Sequence, residues 1–142
     1  MKSCPPGTAL PDSSAWIDFL RGRPGSGAEG VSRLLVSKKA VLCNLVRAEL
    51  LPFMPRAGPF AAGALDLGML PVLPDPPDLW ERVMDFQRVL IRKGSMGVIP
   101  DLIIVAVCSH HDVPVLSVDG DFRRHARFLP LKLWNPGDLP VP

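Results

Sequence analysis

The sequence predicts an α/β fold in which helices cover both faces of a parallel sheet. Short, almost wholly apolar runs alternate with longer segments whose apolar residues recur at helical spacing, which is the pattern of strands buried between helices. The 17 prolines and 12 glycines divide the chain into pieces of strand and helix length. A chain of 142 residues suits one domain with a substantial core.

The first half of the chain predicts two helices followed by a buried strand. Its elements are a helix over Ala15–Arg21, a helix that carries Val31, Leu34 and Leu35, a strand over Ala40–Val46 and a helix-forming segment over Arg47–Leu51. Ser13 or Ser14 is the expected N-cap of the first helix, and Gly22 is its expected stop. The strand is a short, mainly apolar run, which predicts burial on both faces.

The second half predicts more helices and the rest of the sheet. Asp78–Lys93 is the clearest helix, because one face is apolar and the other is charged. The apolar length of Pro100–His111 favours a buried helix that begins at Pro100. The other elements are an Ala-rich helix over Gly58–Leu70, an edge strand over Leu70–Pro74, a strand over Val113–Val118, a helical turn over Phe122–Arg127 and a final strand over Leu129–Trp134.

Composition restricts the class of protein without naming a partner. With 47% hydrophobic and 21% charged residues the chain is not disordered as a whole, and a net charge of +2 gives no dominant basic field. Cys4, Cys43 and Cys108 lie far apart, which argues against a disulfide framework or a thiolate zinc site and favours a reducing cytoplasm. No signal peptide or membrane-length apolar run is present, so we expect a cytoplasmic protein with no membrane partner.

Four carboxylates fall where predicted strands end or helices begin. Asp12 precedes the first helix, Glu49 follows the strand Ala40–Val46, Asp101 lies in the first turn of the buried helix, and Asp119 ends the next strand. In an open parallel sheet, sites form at the edge where strands end and helices begin. We therefore expect these acids to meet at one edge of the sheet.

Acids that converge in this way have a chemical consequence. Their carboxylates repel, so one takes up a proton unless a cation joins them. Oxygen ligands without histidine or cysteine suit Mg²⁺ or Mn²⁺, and such an ion activates water and stabilises charge on a phosphodiester. An acid at a helix start is more often a simple cap, and a chain with 14 acids can place four of them by chance. Spacing alone leaves both interpretations open.

Four segments carry a family resemblance. Pro11–Gly22 reads Pro-Asp-Ser-Ser-Ala-Trp-Ile-Asp-Phe-Leu-Arg-Gly, Val46–Leu51 contains the second acid, and Pro100–Ala106 and Pro114–Phe122 contain the others. In wording and order they resemble the acidic motifs of PIN-domain ribonucleases, particularly VapC-type toxins. The resemblance extends over about residues 10–134, which is nearly the whole of a single expected domain.

The resemblance implies a three-layer α/β/α sandwich around a mainly parallel sheet, here expected as one domain over residues 1–142. It implies an endoribonuclease that needs Mg²⁺ or Mn²⁺, forms a homodimer and is neutralised by an antitoxin protein in a type II toxin–antitoxin system. By position, Asp12, Glu49, Asp101 and Asp119 would be the catalytic, metal-binding acids, with Asp121 as a candidate fifth acid and the hydroxyls of Ser13 and Ser117 in support.

Basic residues flank the predicted acidic edge. Arg123 and Arg124 directly follow Asp121, and Arg21 and Arg23 follow the first helix. All four arginines are candidates for contacts with RNA phosphates, and solvated surface is the alternative for each. The modest net charge favours a structured RNA with an exposed loop over tight nonspecific binding.

Histidines and aromatic residues have less specific interpretations. His110 and His111 point about 100° apart on a helix, so surface or capping roles are expected rather than a shared metal ion. His125 is expected to be exposed. The remaining apolar residues of interest are expected in the core or at a dimer or antitoxin surface: Trp16, Trp80, Phe86, Leu90, Met69 and Met84.

Two functional hypotheses of different class remain open. One is a metal-dependent endoribonuclease that acts as a toxin. The other is a PIN-fold module whose site has decayed and which binds RNA or protein without cutting. The presence of all four acids favours the enzyme. A phosphotransfer domain fits less well, because its lysine after the last strand has no clear counterpart.

Overall fold

Short parallel strands form the centre of the protein. The computed structural model describes residues 4–54 and 67–135, and the strands there have two residues each. They are β1 (Leu10–Pro11), β2 (Leu42–Cys43), β3 (Val72–Leu73) and β4 (Val115–Leu116). β1 pairs with β4 and β2 with β3, and a bridge between Ala9 and Ala40 joins the pairs. All pairings are parallel, so the spatial order is β3–β2–β1–β4.

Helices pack around this sheet. They are α1 (Ser13–Leu20), α2 (Ser26–Val36), α3 (Asn44–Leu50), α4 (Leu79–Arg92), α5 (Ile99–His111) and α6 (Gly120–His125), with 3₁₀ turns at Leu51–Phe53 and Leu67–Met69. α1 packs on α2, and α4 packs on α5. The middle of α5 is apolar, and Ile104 to Cys108 are all buried. The predicted α/β class with a parallel sheet is therefore confirmed. Within the described ranges, none of the helices has the length and apolar character needed to span a membrane.

The strands are shorter than the sequence predicts. The apolar run predicted as a strand over Ala40–Val46 leaves the sheet after Cys43, and its last residues begin α3. The strand predicted over Val113–Val118 is two residues long, and the one predicted over Leu129–Trp134 is reduced to a bridge between Leu133 and Val115. An apolar run indicates burial without specifying the element. A buried residue in the first turn of a helix, such as Val46 in α3, produces the same pattern as a buried strand residue.

Some helix boundaries also differ from the predicted ones. α1 begins two residues early because Asp12, rather than Ser13 or Ser14, is its N-cap. α6 likewise begins at Gly120 instead of Phe122, after an N-cap at Asp119. The helices predicted over Asp78–Lys93 and Pro100–His111 are present with ends shifted by one residue, and the edge strand predicted within Leu70–Pro74 is β3. Most of the helix predicted over Gly58–Leu70 lies outside the described residues.

Pro11 fits in the central strand because of the side to which its missing N–H would point. Successive N–H groups of a strand alternate between its two neighbours. The N–H groups of Leu10 and Asp12 donate to carbonyls beside β4, each at 2.9 Å, and the N–H of Ala9 donates towards β2. The backbone nitrogen of Pro11, which has no hydrogen, therefore points to the β2 side, beyond the bridge at Ala9. The β1–β4 ladder loses no hydrogen bond as a result.

His125 is buried, so the expectation that it is exposed is wrong. Its side chain has 0% exposure, and its ring lies edge-on to Phe122 with 6.4 Å between centroids. The two residues share the inner face of α6, because side chains three apart on a helix are neighbours. Burial lowers the pKa of His125 and holds its imidazole in the neutral form.

The packing of α5 gives a stability prediction. Leu102 is fully buried, and a Cβ placed on Gly97 would lie 2.9 Å from its Cδ2 atom. We expect Leu102→Ala to lower the free energy of unfolding by about 2–4 kcal/mol. The substitution removes buried apolar atoms and leaves a cavity that the surrounding core cannot fill completely. Urea denaturation followed by circular dichroism measures this. Ile99→Ala, on the same helix at a residue 45% exposed, should cost less than about 0.5 kcal/mol. Equal losses would contradict the packing.

Candidate metal centre

The fold brings the predicted acids to the edge of the sheet where the strands end. Asp12 directly follows β1, and Asp119 follows β4; each caps the helix that comes next. Glu49 lies in α3, which starts directly after β2, and Asp101 lies in the first turn of α5. Asp101 interacts electrostatically with Asp12, Glu49, Asp119 and Asp121, so the five acids share one region.

Three of these carboxylates are close enough to bind one cation. One oxygen from each of Asp101, Asp119 and Asp121 lies within 4.8 Å of the other two. Oδ1 of Asp119 also accepts the N–H of Asp121 at 2.9 Å, which fixes the turn at the start of α6. Among the described residues, Asp12 and Glu49 do not belong to this closely spaced group.

Asp12 is a buried carboxylate with several hydrogen-bond donors. It is 4% exposed. Its Oδ1 accepts the N–H of Ala15 at 2.9 Å and the hydroxyl of Ser14 at 2.8 Å, and its Oδ2 accepts the hydroxyl of Ser117 at 2.6 Å. Ser14 is also 2.9 Å from Oδ2. Burial raises the pKa of Asp12, and the donors oppose this increase.

Glu49 is held by the other supporting hydroxyl. The Oγ of Ser13 donates to its Oε1 at 2.7 Å, which links α1 to α3 across the site. Each serine singled out from the sequence, Ser13 and Ser117, therefore donates to one of the predicted acids. The sequence analysis predicts Ser14 only as a possible N-cap and does not identify it as a residue of the acidic site. The available signal was its position two residues after an N-cap aspartate, where a hydroxyl readily reaches the capping carboxylate.

The charge at this edge is concentrated enough to change the protonation of Asp101. Burial first, and then repulsion from the carboxylates of Asp119, Asp121, Asp12 and Glu49, together raise the pKa of Asp101 from 3.8 to about 6. Ionised Asp101 is therefore repelled by its neighbours. A divalent cation bound among these carboxylates would relieve that repulsion directly.

The donor set fits a hard divalent cation. Asp101, Asp119 and Asp121 offer carboxylate oxygens without imidazole or thiolate, which suits Mg²⁺ or Mn²⁺ rather than zinc. His110 and His111 lie in the last turn of α5, at the opposite end of that helix from Asp101. His111 has its Nε2 atom 2.8 Å from the carbonyl of Pro74, the residue after β3.

The arginines of α6 lie beside the acidic group. Nη1 of Arg124 is 3.1 Å from Oδ1 of Asp121. Arg123 precedes it and is exposed. A phosphate that approached the acids would therefore meet a guanidinium group already present at their rim.

The other two predicted RNA contacts lie farther away. Arg21 is the C-cap of α1 and packs over the ring of Phe53 at 4.7 Å, and Arg23 forms an ion pair with Asp18 at 3.9 Å. α1 has eight residues, so its C-terminal end is about 12 Å from Asp12 at its N-terminal end. Arg21 and Arg23 are not brought to the acidic group itself.

Comparison with known proteins identifies the family. A family model of the PIN domain matches residues 9–128. The chain belongs to the PIN-domain family. Ribonuclease VapC21 of Mycobacterium tuberculosis is 45% identical over 53 residues, a match that spans 36% of this chain and 38% of that protein.

Solved structures confirm the architecture of this PIN domain. FitAcB from Neisseria gonorrhoeae superposes with a TM-score of 0.69 at 17% identity, over 93% of this chain and 100% of that one. VapBC2 from Rickettsia felis, bound to a DNA fragment from its promoter, superposes with a TM-score of 0.67 at 14% identity, over 90% and 99%. The shared fold confirms the predicted α/β sandwich.

The raised pKa of Asp101 predicts how the stability of this PIN domain depends on pH without metal. The folded state holds a proton on Asp101 that the unfolded state releases near pH 3.8. Stability is therefore lost as the pH rises from about 4 to about 6. Asp101→Asn removes this loss and should stabilise the protein by about 1–2 kcal/mol at pH 7.5, after allowance for partial exposure.

Thermal unfolding of both proteins in EDTA, from pH 4 to pH 8, measures this effect. The difference between them should be small near pH 4 and should grow until about pH 6. A constant difference across this range would show that the pKa of Asp101 is not raised in the folded protein.

Proposed function

We propose that this PIN domain is a metal-dependent endoribonuclease that hydrolyses RNA phosphodiesters and acts as the toxin of a type II toxin–antitoxin pair. The observation that carries the proposal is the group of Asp101, Asp119 and Asp121, whose oxygens lie within 4.8 Å of one another. The name of the M. tuberculosis relative, a ribonuclease, supports the activity. The relatives from R. felis and Klebsiella pneumoniae, a VapBC complex and a toxin–antitoxin complex, support an antitoxin partner.

The proposed roles follow from position. Asp101, Asp119 and Asp121 would hold Mg²⁺ or Mn²⁺, which when bound supplies an activated water and stabilises charge on the phosphate. Asp12 and Glu49, the other motif acids, add negative charge beside the metal ligands and complete the catalytic set. Ser117 and Ser13 hold these two carboxylates in place. Asp101 must lose its proton before it binds a cation, so binding should weaken below about pH 6.

RNA binding is proposed to start beside this group of acids. Arg123 and Arg124 are placed to contact the phosphate nearest the acids, and Arg21 and Arg23 to contact phosphates about 12 Å farther along the strand. The net charge of +2 favours a structured RNA with an exposed loop. We place the protein in the cytoplasm, where RNA is available and the three free cysteines stay reduced.

Replacement of Asp101 tests the enzyme against a decayed binding module. Asp101→Asn should reduce the rate of RNA cleavage in Mg²⁺ or Mn²⁺ by about 100-fold or more, because one charged ligand is lost. A fluorogenic RNA measures the rate. Asp112→Asn is the matched control: it lies just after the other end of α5, is exposed, and has a φ of 55°, which asparagine tolerates.

The control should cleave like the wild type. Cleavage by Asp101→Asn at the wild-type rate would contradict the proposed centre. RNA binding by the wild type without any metal-dependent cleavage would favour the decayed module.

We also propose that the protein is a homodimer and that α4 forms the contact. Trp80, Met84 and Ile91 are 56%, 48% and 60% exposed, and at 100° per residue they lie within about 40° of one another. Val83 and Leu90, on the neighbouring face of α4, are buried in the core. The exposed residues form an apolar line, the α4 stripe, which is interrupted between Met84 and Ile91 by Gln87 and Arg88 and has no function in the core.

The charges beside the α4 stripe favour a second copy of the chain as its occupant. All the acids of the helix region lie in its first half, where Arg82 is the one base, and its second half carries only bases. In order the charged residues are Asp78, Glu81, Arg82, Asp85, Arg88, Arg92 and Lys93. A two-fold contact between antiparallel α4 helices places the acidic half of each against the basic half of the other.

A charge at the centre of the α4 stripe should therefore separate the subunits. Light scattering with size-exclusion chromatography should give twice the chain mass of 15.4 kDa for the wild type and the chain mass for Met84→Glu. Val36→Glu, at an apolar residue 83% exposed in α2, should remain dimeric. A monomeric wild type at micromolar concentration, or a dimeric Met84→Glu, would rule out this surface.

A further inference from the structure

One side-chain amide holds the connection between α4 and α5. Nε2 of Gln87, in α4, donates to the carbonyl of Gly97 at 2.7 Å, and the N–H of Gly97 donates to Oε1 of Gln87 at 2.9 Å. The two residues are ten positions apart, so this pair of bonds closes the loop between the helices. The carboxamide of glutamine carries a donor and an acceptor side by side, which matches the C=O and N–H of a single residue.

Gly97 is buried where the two helices approach each other. A Cβ on Gly97 would lie 2.9 Å from Cδ2 of Leu102 in α5 and 3.2 Å from Cδ1 of Leu90 in α4. Backbone polar groups buried at such a place need hydrogen-bond partners, because leaving them unpaired costs free energy. The Gln87 amide supplies a partner to both groups of Gly97 and so fixes the backbone at this close approach.

Gln87 is a polar residue on the core-facing side of α4. It lies four residues after Val83 and three before Leu90, and both of these neighbours are buried in the core. Gln87 itself is half-buried. A polar side chain at such a position loses solvation, and its two hydrogen bonds to Gly97 compensate for that loss. An apolar residue would serve packing alone, so the amide indicates that Gly97 has to be held.

Gly97 directly precedes the helix that carries Asp101. Val98 is the N-cap of α5, and its carbonyl accepts the N–H of Leu102 at 3.2 Å. Asp101 lies within this first turn, and among the described residues no side chain caps the helix. The position of the first turn therefore depends on the backbone of Gly97 and on the Gln87 amide that fixes it.

We infer that Gln87 is a positioning residue, which fixes the start of α5 so that Asp101 stands at binding distance from Asp119 and Asp121. The inference rests on the metal centre of the proposed function. Oxygens of these three acids lie within 4.8 Å of one another, and their charges repel when no cation is bound. The first turn of α5 must resist displacement away from the other two acids, because a shift of about 0.5 Å is enough to weaken such a site.

Gln87→Met and Gln87→Asn test this role. Methionine fills a similar volume without the two hydrogen bonds, and asparagine keeps the amide on a stem that is one methylene too short to reach Gly97. Mn²⁺ alone is the probe, and isothermal titration calorimetry measures its affinity. We expect each variant to bind Mn²⁺ about 10-fold more weakly than the wild type, as loss of support behind a ligand does.

Two control variants separate positioning from general effects on α4. Arg88→Met places the same new side chain at the adjacent, exposed residue, and Val83→Ala destabilises the protein from the buried face of the same helix. Both folded variants should bind Mn²⁺ within about twofold of the wild type. An equal loss of affinity in Val83→Ala and Gln87→Met would overturn the inference, and so would wild-type affinity in both Gln87 variants.

Amide hydrogen exchange followed by NMR in EDTA locates the effect without metal. In the Gln87 variants, exchange at Gly97 and Leu102 should accelerate more than exchange at Val107, in the buried middle of α5. In Val83→Ala, these two amides should accelerate no more than that of Val107. Equal acceleration along α5 in the Gln87 variants would contradict the inference. If the wild type binds no Mn²⁺, the proposed metal centre fails, and the exchange pattern alone decides whether Gln87 fixes the start of α5.

Discussion

Repulsion between carboxylates at one edge of the sheet is the constraint on which the site depends. Asp12, Glu49, Asp101 and Asp119 belong to different segments of the chain, and Asp121 joins them from α6. Left to themselves, these groups would separate or take up protons. The spacing of Asp101, Asp119 and Asp121 shows that the fold holds these groups together, and the pKa of Asp101 is raised to about 6 by burial first and by the neighbouring carboxylates second.

The fold resists the repulsion with rigid elements. Asp101 stands on the first turn of α5, whose residues from Ile104 to Cys108 are all buried, so it cannot withdraw without disturbing the core. Asp12 is held by the β1–β4 pairing and by serine hydroxyls. If these acids form the proposed cation site, that site is preformed, and the stability of the metal-free state is lowered in exchange, as is common where function requires charge in one place.

The sequence predicts this site because the relevant signals are local. Asp101 before a buried apolar helix and Asp119 after an apolar strand are readable within a few residues. The strand ends are not, because apolar residues continue from the strand into the first turn of α3, where Val46 is buried. The contact of Ser117 with Asp12 spans 105 positions, so no local pattern reveals it. His125 was misjudged because a polar residue type gives no sign that it shares the inner face with Phe122.

The most direct test of the account is a crystal of the wild-type protein soaked in Mn²⁺ and measured at a wavelength where manganese scatters anomalously. The account predicts an anomalous peak in contact with carboxylate oxygens of Asp101, Asp119 and Asp121. A peak bound elsewhere, or none at millimolar Mn²⁺ with the acids in place, would contradict the claim that they form a cation site.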